Sequence, residues 1–507
     1  MMLSLALVAL VAVPLLAALL AVVVPRRGAL IALLCVAGIA IALAVLVPAL
    51  ARQGLLALSI GGWNAPLGIT LRLDGLGLAF VSMAATVMAA VLISARPQFA
   101  TQARSDQAGS GETRSQWAFC PLALLLWSAL NVVFLSRDLF NLYVALELLT
   151  VAAVALVAIE GKAGSLAAAL RYMMFALAGS LAYLLGVALL YAGHGTLDLT
   201  LLAARGIGLG SLRGTAAADL IAAGLITAGL AVKTALFPFH AWLPPAHSGA
   251  PAPASAMLSA LVPKASFVIL IRLWFEALPE LASPILLTLL GALGAAAVLF
   301  GSVLALRQSR LKLIVAYSTV AQIGYLFLIF PLAGGDSYAQ PWAAGAWTGA
   351  VFQALSHGLA KAAMFLCAGV WIIAVGHDRL EGMRGLASAT PMTAFAFALA
   401  TVSLVGLPPS GGFTAKYLML TSAFASGQVV WGAVLIIGGL LSAAYLYRPL
   451  ALAFSKGDRP TFAPVSRWLQ VVPLLLALAA ILLGLASQAP FSLIQIGRPA
   501  SAVVGLE

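Results

Sequence analysis

Residues Lys233 to Pro253 read KTALFPFHAWLPPAHSGAPAP, a run in which five prolines, a lysine and two histidines interrupt an otherwise apolar segment. Proline removes a helix hydrogen bond and glycine loosens the backbone, so the run predicts a helix that unwinds partway. Irregular backbone at membrane depth is tolerated only beside protein or a watery cavity. A second such break, Gly406 to Lys416, reads GLPPSGGFTAK. The chain around both breaks is 63% hydrophobic and 8% charged over 507 residues, with a mean hydropathy of +1.10. Soluble domains carry about 25% charged residues, so the composition predicts an all-α integral membrane protein. Apolar runs of about 20 residues, enough to cross a hydrocarbon core as helix, recur along the whole length. They number about fourteen, and the breaks fall in spans seven and twelve. Five helices is an odd offset, which reverses the direction of crossing. Paired interruptions of this kind are the sequence hint of inverted-topology repeats with a transport site nearby.

The formal charge of +12 reports topology rather than a nucleic-acid surface. Loops after odd-numbered spans carry fifteen Lys and Arg, from Arg26 and Arg27 through Lys312 to Arg467. The even set carries six, Arg52, Arg72, Arg137, Arg205, Arg213 and Arg498. By the positive-inside rule the basic loops are cytoplasmic and both termini lie outside, in the cell's inner (plasma) membrane. Met2 to Val24 is too long for a signal-peptide core, has no basic residue ahead of it, and is expected to stay as the first helix. Ala51 to Gly77, with Ile69, Leu71 and Leu73 alternating against Thr70, Arg72 and Asp74, predicts a short hairpin on the outer surface. The polar stretch Thr101 to Gln116 is expected as a cytoplasmic loop. Cys35, Cys120 and Cys367 are scattered without metal spacing, so no metal, iron-sulfur cluster or other cofactor is expected, and any electron transfer belongs to another chain. The stretch Gly206 to Gly210 lacks the strand-then-helix context of a nucleotide site and reads as a loop.

Four lysines, Lys233, Lys264, Lys361 and Lys416, lie inside long apolar segments together with one deeply placed acid, Glu147, whereas arginine is nearly confined to loops, with Arg171 and Arg272 near span ends. A guanidinium keeps its proton in a protein, while an ammonium removed from water can lose and regain one. Each such residue at mid-bilayer costs about 2.5–3.5 kcal/mol on insertion scales, so the set needs a purpose. Glu147 has no basic residue on its own helix, and Lys233 is its expected partner; the plainer reading is a static ion pair between helices. Lys264 would be the next proton station, or a snorkelling lysine. His357 and Lys361 are four apart and share a helix face, although a membrane histidine often only packs and hydrogen-bonds. Lys416 would be a terminal station open to the outer face, or a helix-end lysine reaching for water. His240 and His247 flank the first break and would either admit protons from the cytoplasm or satisfy unwound carbonyls. Gln322, Tyr317, Ser356 and Gln353 could hold waters between stations.

DLFNLYVALELL around Glu147, KTALFPFHAWLPPAHSGAP, RLKLIVAYSTVAQIGY from Arg310, LSHGLAKAAMFL around His357 and GLPPSGGFTAKYL together resemble the antiporter-like subunits shared by respiratory complex I, Mrp-type Na+/H+ antiporters and membrane-bound hydrogenases. The resemblance spans essentially the whole chain and is strongest from about Arg137 to Leu420. It implies fourteen helices with two inverted five-helix repeats. A single membrane domain would then divide into an N-terminal part (1–116), a first repeat (117–275), a second repeat (282–448) and a cytoplasmic loop with the last helix (449–507). It also implies a charged axis at mid-membrane, with Glu147 paired to Lys233, Lys264 as connector and Lys416 as terminus. Lysine at that terminus leans away from one complex I subunit, and Gln322 stands where some relatives have histidine. The carboxyl end leaves no room for the long lateral helix of the largest members, and the second break looks closer to the Mrp and hydrogenase branches.

The leading expectation is a proton-translocating subunit of a multisubunit complex, with other membrane subunits, H+ and the bilayer as partners and no nucleic acid. Its alternative is the Na+/H+ exchanging subunit of an Mrp-type antiporter without redox chemistry. A self-sufficient solute transporter is disfavoured because the charges are strung over several helices instead of gathered round one pocket. A mere scaffold is disfavoured by the insertion cost of the charges.

Overall fold

The computed structural model describes residues 1–105, 114–208, 216–335, 340–456 and 462–498. Arg213, Arg459, the middle of the Thr101–Gln116 stretch and the end of the Gly206–Gly210 stretch lie outside the described residues. Helices α1 (Met2–Val23), α2 (Gly28–Gln53), α3 (Gly75–Ser105), α4 (Arg114–Leu135), α5 (Leu139–Ala158) and α6 (Ala163–His194) open the bundle. Between α2 and α3, β1 (Leu56–Ser59) pairs antiparallel with β2 (Thr70–Leu73), Leu56 opposite Leu73, which is the expected hairpin. Leu71 and Leu73 are its buried face.

Span seven comprises α7 (Ala216–Thr234), a turn, and α8 (Leu243–Gly249); span eight comprises α9 (Ala252–Ala260) and α10 (Val262–Arg272). Then follow α11 (Pro284–Leu306), α12 (Leu311–Leu326), α13 (Pro341–Val375), the half-helices α14 (Pro391–Val405) and α15 (Gly411–Ala425), α16 (Val429–Phe454), α17 (Arg467–Leu485) and a short α18 (Gln488–Ile494). Among the described residues thirteen helices are long and apolar enough to cross a membrane. Counting α14 with α15 as one interrupted crossing gives the fourteen expected.

Both expected breaks are present, and the structure adds a third, at Leu261 in span eight, where the helix restarts at Val262 with Pro263 in its first turn. Some helix pairs approach closely because neither partner carries a side chain at the contact. A Cβ on Gly229 of α7 would lie 2.3 Å from the Gly179 carbonyl oxygen of α6, and one on Gly324 of α12 equally close to that of Gly294 on α11. Spans eight, ten and eleven are the most enclosed, buried over 100%, 89% and 83% of their apolar windows. That ordering decides which charged residues are shut away from lipid.

Arg137 and Asp74 lie in connectors and Arg272 at a helix end, as expected, but all three are buried, which their sequence positions did not indicate. At the hairpin end Asp74, Arg137 and Arg272 are each 1% exposed or less. Arg272 donates to both Asp74 carboxylate oxygens at 2.9 and 3.1 Å and to Glu276 at 3.2 Å, and Arg137 bonds to both acids. Two cations and two anions balance, which is what allows them to be buried. Burial pushes the Asp74 carboxyl up, but Arg272 and Arg137 outweigh it and hold the group below the usual carboxylate range. Lys312, counted as a loop residue, is also buried and donates to the Ser248 carbonyl at 3.2 Å and to that of Ala250, capping the end of α8.

Candidate functional site

Two of the intramembrane lysines, Lys264 and Lys416, follow a local rule that the prolines set. A proline at position i cannot donate to the carbonyl at i−4, so that oxygen needs another partner. Pro263 orphans the Ser259 carbonyl, and Lys264 Nζ donates to it at 2.7 Å. Pro408 and Pro409 orphan the carbonyls of Leu404 and Val405, and Lys416 Nζ donates to both at 2.9 Å while lying 4.5 Å over the Tyr325 ring. Each of these two breaks thus makes its own cation site, at a helix C-terminus where the backbone dipole also favours positive charge. Lys264 is wholly buried and Lys416 is 8% exposed, so the latter is no snorkelling surface residue.

Lys233, at the end of α7, makes the expected pair. Its Nζ donates to Glu147 Oε1 at 2.9 Å and to Thr150 Oγ1 at 3.1 Å, and Ser180 of α6 donates to the same carboxylate oxygen. The two partners differ in exposure, 6% for the Lys233 side chain against 30% for Glu147. Glu147 stands on the exposed stripe of α5 with Phe140, Val144 and Val151.

Lys361 on α13 donates to the Val315 carbonyl at 2.9 Å and to Ser318 Oγ, both on α12. Its neighbour His357 faces the same enclosed interior but has neither ring nitrogen hydrogen-bonded within the described residues. His247 is likewise buried with both ring nitrogens unpartnered, 5.1 Å from the Phe365 ring. His240 stacks on Phe237 at 5.7 Å and meets Phe300 edge-on at 5.1 Å. His247 thus satisfies no unwound carbonyl. Around the first break Lys312, Ser165 on the Gly249 carbonyl (2.8 Å) and Trp242 on that of Val232 (2.9 Å) take that role.

Sequence reasoning missed the hydroxyl groups that link these stations. Ser259 Oγ lies 2.8 Å from Thr319 Oγ1, and Thr319 donates at 3.0 Å to the Val315 carbonyl that Lys361 also uses. Lys264 and Lys361 therefore sit at the two ends of a short ladder made of the Ser259 and Val315 carbonyls and the Ser259–Thr319 hydroxyl contact between α9 and α12. Farther along, Gln322 Nε2 donates to Ser442 Oγ at 3.3 Å and to the Leu404 carbonyl at 3.1 Å, the same oxygen that Lys416 caps. Gln353 donates to Gln322 Oε1 at 2.7 Å, and Ser356 meets Ser403 at 2.6 Å, whereas Tyr317 is half-buried. Serines and threonines are common in membrane helices, so only the helix packing distinguishes these from packing residues.

The family model described as NADH:quinone oxidoreductase/Mrp antiporter, transmembrane, matches residues 136–442. NADH-quinone oxidoreductase subunit N of Desulforudis audaxviator is 38% identical over 400 residues, 78% of this chain and 75% of that one. A Na(+)/H(+) antiporter subunit of Alkalihalophilus pseudofirmus is 30% identical over 448 residues, 87% of this chain and 85% of that one. Among solved structures, a chain of the Mrp complex from Dietzia superposes with a TM-score of 0.85 at 25% identity, covering 97% of each chain.

Proposed function

Because the chain belongs to the NADH:quinone oxidoreductase/Mrp antiporter transmembrane family, we propose that it moves protons through the membrane along Glu147, Lys233, Lys264, His357, Lys361 and Lys416, with His240 and His247 on the uptake side. The observation that carries this reading is the kind of partner the lysines have. Among the described residues Lys264, Lys361 and Lys416 are hydrogen-bonded to carbonyls and hydroxyls and to no carboxylate. A cation on neutral acceptors has no counter-ion fixing its charge, so it can give up its proton and be recharged. Lys233 differs, since Glu147 holds it charged, and loosening that pair would release its proton.

The chain is an antiporter-like subunit of a multisubunit membrane complex, and Glu147 suggests where one partner sits. A carboxylate 30% exposed on an apolar stripe is costly against hydrocarbon. A partner membrane subunit covering Phe140, Val144 and Val151 removes that cost. The division into inverted repeats at 117–275 and 282–448, the plasma membrane and external termini belong to the same proposal. The deciding experiment is Lys233→Ala in the assembled complex, reconstituted in liposomes. Proton transport should vanish with subunit content unchanged; undiminished transport would remove the reading.

A second reading, Na+/H+ exchange, is favoured by the likeness to the Alkalihalophilus antiporter protein and the fold match to an Mrp complex. Sodium-dependent dissipation of a pH gradient by the complex, with no electron donor present, separates it from redox-driven pumping.

A further inference from the structure

We propose that Tyr325 is a positioning residue that does for Lys416 what Glu147 does for Lys233: its ring face, in place of a carboxylate, favours the charged form of the terminal lysine. The inference rests on the proton-moving reading above and gives a role to a residue of α12 that the reading does not use. Lys416 Nζ lies over the face of the Tyr325 ring, 4.5 Å from its centroid. Tyr325 is wholly buried, and α16 leaves space for it, since a Cβ on Gly438 would collide with the tyrosine hydroxyl. Packing thus keeps the ring under the ammonium.

The two broken spans arrange these contacts alike. Lys233 on span seven meets Glu147 on span five, and Lys416 on span twelve meets Tyr325 on span ten. Each lysine finds its partner two spans earlier, and the pairs are five spans apart, as the breaks are. The partner's chemistry is what differs. No helix from α11 to α17 carries an aspartate or glutamate. Of the helices packed against α15, α13 brings the buried titratable side chains His357, Lys361 and Cys367 and α16 brings Tyr445, while α14 and α17 bring none.

The ring tells ammonium from amine, whereas the carbonyls do not. A neutral amine still has two N–H groups and can donate to Leu404 and Val405 as the ammonium does at 2.9 Å. An aromatic face carries the negative part of the ring's quadrupole, so it attracts the cation and repels an amine lone pair. Discharge also has a different consequence at the two ends of the row. When Lys233 loses its proton the Glu147 carboxylate is left without its cation, which is costly in the membrane. The neutral ring leaves no such charge behind.

Tyr325→Phe keeps the ring face and Tyr325→Leu removes it. Both are assayed in the intact complex, beside Lys233→Ala, for subunit content and for proton transport over a range of pH. Transport requires Lys416 to be recharged in each cycle, so it fails at high pH once the amine stays neutral, and losing a group that favours the cation brings that failure to lower pH. Tyr325→Phe should keep the parent profile. Tyr325→Leu should assemble with the alkaline limb moved about one pH unit lower, about a tenfold change in the ratio of charged to neutral lysine. An unmoved limb in Tyr325→Leu, with Lys233→Ala inactive, overturns the Tyr325 assignment and leaves the proton-moving reading intact. An equal shift in Tyr325→Phe assigns the effect to the hydroxyl and overturns it too. Full transport by Lys233→Ala overturns the reading itself. Should Tyr325→Leu fail to assemble, pentafluorophenylalanine at position 325 keeps the ring's shape while reversing the charge of its face, and is judged by the same outcomes.

Discussion

Lys416 combines a structural and a transport role that one pair of substitutions can separate. Its ammonium donates at 2.9 Å to the Leu404 and Val405 carbonyls, which Pro408 and Pro409 leave without backbone donors. Lys416→Met keeps an unbranched chain but removes both bonds. Hydrogen bonds to a charged group contribute about 1.5–3 kcal/mol each, and Leu404 retains the Gln322 amide at 3.1 Å, so the loss should be about 2–4 kcal/mol. Lys416→Arg should recover most of it, since a guanidinium supplies donors to both carbonyls and stacks on the Tyr325 ring. Arginine does not release its proton, however, so this variant should be stable and inactive. Thermal unfolding of the purified complex, run beside proton uptake into proteoliposomes, reads both effects. Wild-type transport by the arginine variant would refute the requirement for a dischargeable amine, and a methionine variant as stable as the parent would refute the capping argument.

Two further outcomes follow from the packing. Thr319→Val conserves shape but cuts the ladder between Lys264 and Lys361, so transport should fall while stability changes by no more than about 1–3 kcal/mol, the cost of the unpaired Ser259 hydroxyl; unchanged transport would show that the stations communicate by another route. Asp74 has a folded-state carboxyl held below its ordinary value of 3.8, so its contribution is fully present above about pH 4 and is lost as pH falls further. Thermal stability scanned downward through that range should fall more steeply for the parent than for Asp74→Asn, and parallel curves would refute the assignment.

Local chemistry made much of this legible before any packing was known. Proline and glycine runs announced the breaks at Pro238 and Pro408, because each missing N–H is fixed by residue type alone. The same rule, applied to Pro263, would have found the break in span eight and the carbonyl that Lys264 caps; the signal was in SALVPKAS and a single proline was too modest to stand out. Depth was read less well. Arg137, Lys312 and Asp74 sit beside apolar runs in sequence and looked like loop residues, but their burial depends on partners up to 198 positions away.

Hydropathy and missing backbone donors are properties of short stretches, so residue order was enough to establish a membrane bundle, the places where its helices break, and the lysines shut away from water. Which groups face one another came only with packing. It set Ser259 against Thr319 and Gln322 against Ser442, paired Glu147 with Lys233, and left His357 without a hydrogen-bonded neighbour among the described residues. Hydrogen bonds between helices depend on how whole cylinders pack and rotate, a consequence of contacts such as Gly179 on Gly229 that no local pattern of residues encodes.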